Sequence, residues 1–141
     1  MNTPTIQNKI TLSKILVKSV KLETDSIDPN ASNDLNFSLK NRVLIPENES
    51  NKFLIEFVAE FKNKEGRIAF ELLVKLTAVF ETDSPITEEF KKSHFIFVNA
   101  PAIAFPFLRS FVATVISNAG YNVFLLNSVN FSTLYDQQMK R

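Results

Sequence analysis

His94 is the only imidazole in the sequence, and so the only general base of its kind. Ser93 precedes it, and Asp83 and Glu88 lie close by in the chain. Adjacent residues on a regular element point apart, and no nucleophile elbow or oxyanion loop accompanies the pair. The reading is a partly exposed histidine near a crossover. Glu56 and Glu60 share one face of an alternating segment. Strand rise sets them about 13 Å apart, beyond the ~9.5 Å limit for a carboxylate pair that hydrolyses glycosides. Glu88 and Glu89 precede Lys91 and Lys92 at ion-pair spacing, which describes a solvated face. Cysteine is absent, which removes disulfides, thiolate metal sites and a thiol nucleophile. One histidine cannot build a site needing two imidazoles. Gly66 and Gly120 are the only two glycines and belong to no phosphate loop. These residues predict no enzyme, no metal and no cofactor.

With catalysis set aside, composition describes a surface-burying protein. The chain has 141 residues and 16.0 kDa, which fits one domain spanning residues 1–141, with 1–8 flexible. A chain this long buries roughly two-thirds of the surface it exposes unfolded. Apolar residues make up 45% and the formal charge is +1, so neither disorder nor a nucleic-acid footprint is indicated. Phenylalanine is used 14 times and tryptophan never. Phenylalanine buries a large area and offers no polar handle. Such usage suggests dry surfaces beyond a single core. The N-terminus lacks a charged segment followed by an apolar one, and no apolar run reaches the ~18 residues of a membrane span. The expectation is a soluble cytoplasmic protein without direct membrane insertion.

Four segments alternate with the period of strands. In residues 9–23, Ile10, Leu12, Leu16, Val20 and Leu22 share one parity, and Ile15 and Val17 the other. After a polar turn with Pro29, residues 35–45 set Leu35, Phe37, Leu39, Val43 and Ile45 on one face. Residues 52–62 do the same with Phe53, Ile55, Phe57, Ala59 and Phe61. A hairpin-type loop at 63–66, ending at Gly66, leads to residues 67–81, where Ile68, Phe70, Leu72, Val74, Leu76, Ala78 and Phe80 align. Strands in succession with short loops predict an antiparallel sheet. Its other face carries Ile15, Val17, Leu54, Val58, Leu73 and Val79. These are either ordinary exposed apolar residues or a second covered surface.

The period changes after Pro85. Residues 86–98 fit a short helix or an irregular crossover. Residues 105–119 read as a helix that is apolar almost all round, with Pro106 in its first turn and Gly120 as its cap. Phe105, Leu108, Val112, Val115 and Ile116 form its main face. Ser110, Ala113, Thr114 and Ser117 form a stripe of small side chains, either a weakly solvated face or a place for another backbone to approach. Residues 121–129 are apolar and extended. Asn130 caps a last helix over 131–140, with Val129 and Leu134 at staple positions and Lys140 and Arg141 favourable to its dipole.

The stretch from Asn99 to Phe131 resembles the SecB family of protein-export chaperones. Pro101, Ile103, Phe105-Pro106-Phe107, Arg109, the helix ending at Gly120, Tyr121, Leu126 and Val129-Asn130-Phe131 carry the resemblance. It implies an α+β fold in a single SecB-like domain: a four-stranded antiparallel sheet, a long helix and a C-terminal helix. It implies a homotetramer, a dimer of dimers with long helices between sheets, so that Ser110, Ala113, Thr114 and Ser117 become oligomer-interface candidates. It implies an ATP-independent holdase for unfolded preprotein or other client polypeptides. By resemblance the client-binding candidates are Leu35, Phe37 and Leu39 on the second strand and Tyr121, Phe124 and Leu126 before the last helix; core packing is the alternative for each. Export members dock the ATPase SecA through sheet carboxylates. Glu23 matches one such position, but Ser19 and Leu73 stand where others are expected, and the sequence ends at Arg141 without the family's long tail. These departures count against SecA docking. Two alternatives remain: a SecB-like chaperone dedicated to one partner, such as an antitoxin, and a purely structural oligomerisation domain.

Overall fold

A computed structural model describes residues 9–63, 70–124 and 126–139. Four strands lie where alternation places them: β1 at Ile10–Thr24, β2 at Leu35–Leu44, β3 at Lys52–Asn63 and β4 at Phe70–Thr82. All neighbours are antiparallel, in the order β1-β4-β3-β2. The β1–β2 link is therefore not a short hairpin loop, because β1 and β2 are opposite edges of the sheet. Residues 25–34 carry the chain between those edges. The link holds a 3₁₀ turn at Pro29–Ser32, with the Asp28 carboxylate accepting from the Asn30 amide at 2.9 Å. Ala31 and Ser32 are buried there. The hairpin-type loop ending at Gly66, the expected strand start with Ile68, residues 1–8 and the Lys140–Arg141 end lie outside the described residues.

One face of β3 and β4 is the core. Phe53, Ile55, Phe57, Ala59 and Phe61 on β3, and Phe70, Leu72, Val74, Leu76, Ala78 and Phe80 on β4, are completely buried. The faces expected for β1 need correction. Its register on β4 slips between Leu12 and Lys14 and again between Val17 and Ser19. Each bulge inserts one residue and reverses the parity of everything beyond it. Ile15 then pairs with Ala78, Val17 with Leu76, Val20 with Val74 and Leu22 with Leu72, all on the core side. Leu16 pairs with Thr77 on the outer side instead. Of the outer-face residues expected, Leu54, Val58, Leu73 and Val79 are found there, half-buried.

The region after β4 is an irregular crossover. A 3₁₀ turn at Phe90–Lys92 is followed by a π-helical turn at Phe95–Asn99 that runs directly into α1, Ala100–Asn118. The helix thus begins five residues before the position expected from Phe105. Pro101 occupies the first turn and Pro106 lies inside the helix. The proline nitrogen cannot serve the carbonyl of Ala102, but Ala102 is exposed and water can. With both prolines absorbed, Phe95–Asn118 is long and apolar enough, by length and composition, to cross a membrane. The sequence reading missed this run because the prolines divide it. One side of it packs on the core through Ala104, Phe105, Leu108, Val112 and Ile116. Burial is on that side alone in this chain: Ile103 and Phe107 on the opposite side are 42% and 51% exposed.

Gly120 ends the helix with φ of 97°, the left-handed conformation that glycine adopts without strain. The amides of Gly120 and Tyr121 return to the Ser117 and Ile116 carbonyls, both at 3.1 Å. The second helix, α2, spans Phe131–Met139. Asn130 caps it as expected, its side-chain oxygen accepting from the Thr133 amide at 3.0 Å.

Candidate functional site

Phe37 and Phe61 face each other across the β2–β3 ladder, rings stacked at 5.0 Å. Phe124 reaches Phe61 from the segment after α1, its tilted ring centred 5.4 Å away. Phe61 is completely buried, whereas Phe37 and Phe124 are half-buried. Leu35 and Leu39 flank Phe37 on the same face of the edge strand, also half-buried. The result is an aromatic ledge at the β2 side of the sheet.

The segment that carries Phe124 is held at both ends. Tyr121 packs edge-on to Phe70 at 5.2 Å and donates its hydroxyl to the Ser26 carbonyl at 2.5 Å. Its neighbour Asn122 donates its amide to the Pro29 carbonyl at 2.9 Å, and the Ser32 hydroxyl donates to the Asn122 carbonyl. Phe131 closes the other end against Phe57 and Phe105, at 6.2 and 5.7 Å. The chain from Tyr121 to Phe124 therefore crosses one end of the sheet, from β4 to β3.

Between this segment and α1 runs an open groove of about 470 Å³. Pro106, Arg109, Ser110 and Ala113 form the helix wall, and Val123, Phe124 and Leu126 the opposite wall. The structure thus brings Phe37 and Phe124 together through Phe61 and joins Phe124 and Leu126 to the groove. Leu126 is only 8% exposed and belongs to the core as much as to the groove. Tyr121 stands apart, its hydroxyl and ring both engaged in holding the loop. Sequence reasoning did not single out Val123, Pro106 and Arg109 as groove lining. The available signal was the all-round apolarity of α1, which left one side without a partner. Arg109 contributes the only charge in the groove, with a long 3.5 Å hydrogen bond to the Ser128 hydroxyl.

The small-residue stripe is divided. Ser110 and Ala113 face the groove, while Thr114 and Ser117 are exposed further along α1. Thr114 donates its hydroxyl to the Ser110 carbonyl at 3.0 Å, within the helix. Ile103 and Phe107 lie on the same outward side, at i,i+4 spacing.

The groups examined for chemistry are dispersed. His94 is exposed and sets its ring edge against Tyr135 at 4.9 Å. The Ser93 hydroxyl donates to the Phe90 carbonyl at 2.7 Å, so the two form no base–nucleophile pair. Asp83 accepts from the Lys9 amide at 3.2 Å, and Glu88 pairs with Lys91 at 2.8 Å. That ion pair holds the Glu88 carboxyl below its ordinary range. Glu23 lies on the outer sheet face, paired with Lys21 at 3.3 Å and opposite Glu71 in the β1–β4 register.

Comparison with known proteins agrees with this architecture. The SecB family, described as preprotein translocase subunit SecB, matches residues 4–141. A protein-export protein SecB of Anaplasma phagocytophilum is 34% identical over 100 residues, covering 67% of this chain and 63% of that one. One from Thioalkalivibrio sulfidiphilus is 28% identical over 142 residues, covering 94% and 80%. The chain spans between half and two-thirds of the length of the first curated relatives it matches. Among solved structures, a SecB-like chaperone of Mycobacterium tuberculosis superposes with a TM-score of 0.66 at 12% identity, covering 85% of this chain and 90% of that one. Such low identity speaks for the fold alone. The family match spans the sheet, both helices and the aromatic segment between them, and on that ground this chain belongs to the SecB family.

Proposed function

We propose that this chain is an ATP-independent holdase that covers apolar segments of unfolded preproteins, or other client chains, in the cytoplasm, serving Sec-dependent export. The observation that carries this reading is that the half-buried rings of Phe37 and Phe124 both pack on the buried Phe61, and that Phe124 also lines the α1 groove. It is shallow and open, with a single charge at its wall. Covering apolar client surface yields ~25 cal/mol per Å². A flexible client gives back ordering entropy, so many shallow contacts serve better than one deep pocket. Leu35, Phe37, Leu39 and Phe124 are the contacts assigned here, with Leu126 as floor and Tyr121 as the anchor of the loop.

Assembly multiplies those contacts. The outward side of α1, with Ile103, Phe107, Ser110, Thr114 and Ser117, is the surface assigned to a second copy. A dimer of dimers would place several grooves within reach of one client and raise its effective affinity.

One observation favours a narrower reading, a chaperone dedicated to a single partner. Ser19 and Leu73 replace the acidic residues by which export members of the family engage SecA, and Glu23 is neutralised by Lys21. The Mycobacterium tuberculosis SecB-like chaperone was solved with a ChAD peptide from the HigA1 antitoxin. Aggregation suppression separates the two. A chemically unfolded client is diluted without ATP, with and without the protein, and light scattering is followed. The holdase reading expects suppression near one oligomer per client. Absence of suppression by a folded oligomer would replace it with the dedicated-partner or the purely structural reading.

A further inference from the structure

The outer face of the sheet, away from the helices and from the groove, has its own chemistry. Leu54, Val58, Leu73 and Val79 lie on it half-buried, forming a shallow apolar centre along β3 and β4. Lys40 on β2 and Lys75 on β4 flank Val58 in register, one on each side. Lys14 on β1 pairs with Val79, four residues along β4 from Lys75. All three lysines are exposed, and none makes an ion pair among the described residues. The carboxylates nearest the centre are already engaged: Glu56 accepts from Arg42 at 2.6 Å and Glu60 pairs with Lys62 at 3.7 Å. Glu23 and Glu71 meet at one end of the face, beside Lys21 and Lys62. At the other end Glu81 stands opposite Thr11 and Lys52, so the face is mixed in charge at both ends and cationic in its middle.

We propose that this outer face docks an acidic polypeptide segment, whose apolar side chains rest on Leu54, Val58 and Val79 while its carboxylates meet Lys14, Lys40 and Lys75. Charge complementarity selects that occupant. Strand spacing sets Lys40 and Lys75 about 10 Å apart, and strand rise sets Lys14 about 14 Å from Lys75. Carboxylates two and four residues apart share one side of an extended chain and stand about 7 and 14 Å apart, within reach of these flexible lysine side chains. A second copy of this chain offers a face of mixed charge, whereas an acidic segment complements the cationic middle along its whole length. Nucleic acid would look for stacking rings beside the cations, and no aromatic residue points outward from the described strands. The proposal does not rest on client binding, because the groove lies on the other face.

The test uses a fluorescein-labelled peptide of repeating Glu-Ser-Leu-Ser units, which sets Glu and Leu on one side of an extended chain, and its Lys-Ser-Leu-Ser counterpart, read by fluorescence anisotropy at two salt concentrations. The acidic peptide is expected to bind, more weakly at higher salt, and the basic one not to bind. The Lys40→Glu, Lys75→Glu variant is expected to weaken the acidic peptide by on the order of tenfold or more. Lys40→Arg with Lys75→Arg retains binding, and Phe124→Ser, in the groove, leaves it unchanged. Lys14→Glu repeats the test if the double reversal does not fold. Equal binding of both peptides, indifference to the charge reversal, loss of binding in Phe124→Ser, or tighter binding to anionic vesicles or single-stranded RNA than to the peptide would each overturn the assignment.

Discussion

Phe37 and Phe61 are register partners on β2 and β3, stacked at 5.0 Å, yet one ring is half-exposed and the other completely buried. That difference separates binding from stability. Phe61 also packs against Phe124, so Phe61→Ala removes the ring on which both others rest and leaves a cavity. It is expected to cost about 3–5 kcal/mol of folding free energy. Phe37→Ala removes a half-buried ring and is expected to cost only about 1 kcal/mol. The same Phe37→Ala variant, and Phe124→Ala with it, should lose most client binding. Urea denaturation and aggregation suppression read the two effects independently. A Phe37→Ala protein that is stable and fully active as a holdase would remove the ledge from the site.

The β1 bulges make a prediction about chain length rather than side-chain type. Lys18 is exposed and sits within the second bulge, between Val17 and Ser19 in the register. Lys18→Ala leaves the register intact and should change stability by less than about 0.5 kcal/mol. Deleting Lys18 removes the parity reversal, so that either Val20 and Leu22 or Ile15 and Val17 must turn away from β4's core face. Val17 and Val20 are 41% and 43% exposed, so the burial lost is mainly that of Ile15 or Leu22, expected to cost about 1 kcal/mol and to lower the melting temperature by roughly 4 °C. Equal melting temperatures for the substitution and the deletion would contradict the register.

Alternation made β2, β3 and β4 legible, because the core side is apolar at nearly every second residue while the other side carries the charged ones. The β1 bulges were written in the sequence too: Ile10, Leu12, Ile15, Val17, Val20 and Leu22 advance by two and three residues in turn. Reading that as one regular strand put Ile15 and Val17 on the wrong face. The start of α1 was ambiguous because Pro101 and Pro106 fit a first turn equally well by type, and only the packing of Ala104 and the π-turn before it decides. The sheet order was not legible, since pairing of β1 with β4 depends on contacts between distant segments. Within the site, Tyr121, Phe124 and Leu126 look alike as apolar residues of one loop. Their different roles follow from burial and from the Ser26 carbonyl that takes the Tyr121 hydroxyl, neither of which spacing reveals.

Glu88 supplies a pH prediction with a definite sign. Its hydrogen bond to Lys91, and then the charge of Lys91, lower its carboxyl below the ordinary value of 4.5. A carboxyl lowered in the folded state stabilises above the unfolded value, and that contribution is lost as pH falls through the folded one. Stability from this pair is therefore intact at neutral pH and disappears below about pH 4.5. The Glu88 side chain is largely exposed and that of Lys91 partly so, and the effect on melting is small and salt-sensitive. Carboxyl NMR titration should show Glu88 returning to its ordinary value in Lys91→Met. An unshifted titration in that variant would dissolve the pair.

Ala113 tests how the two sides of α1 divide their work. It is half-buried at the groove wall, one turn from Ser110 and Ser117 in the stripe of small side chains. A tryptophan there stands at the border between the groove and the outward side assigned to a second copy, and its ring would crowd that approach. Its bulk leaves the buried face of Leu108, Val112 and Ile116 untouched, so the protomer should keep its fold and circular dichroism. The assembly is expected to fall to smaller units, seen as a lower mass by light scattering. Client suppression per protomer should fall with it, since separated grooves no longer share one chain. An unchanged mass with lost suppression would instead assign Ala113 to the groove alone and leave Ile103 and Phe107 as the surface to probe for the second copy.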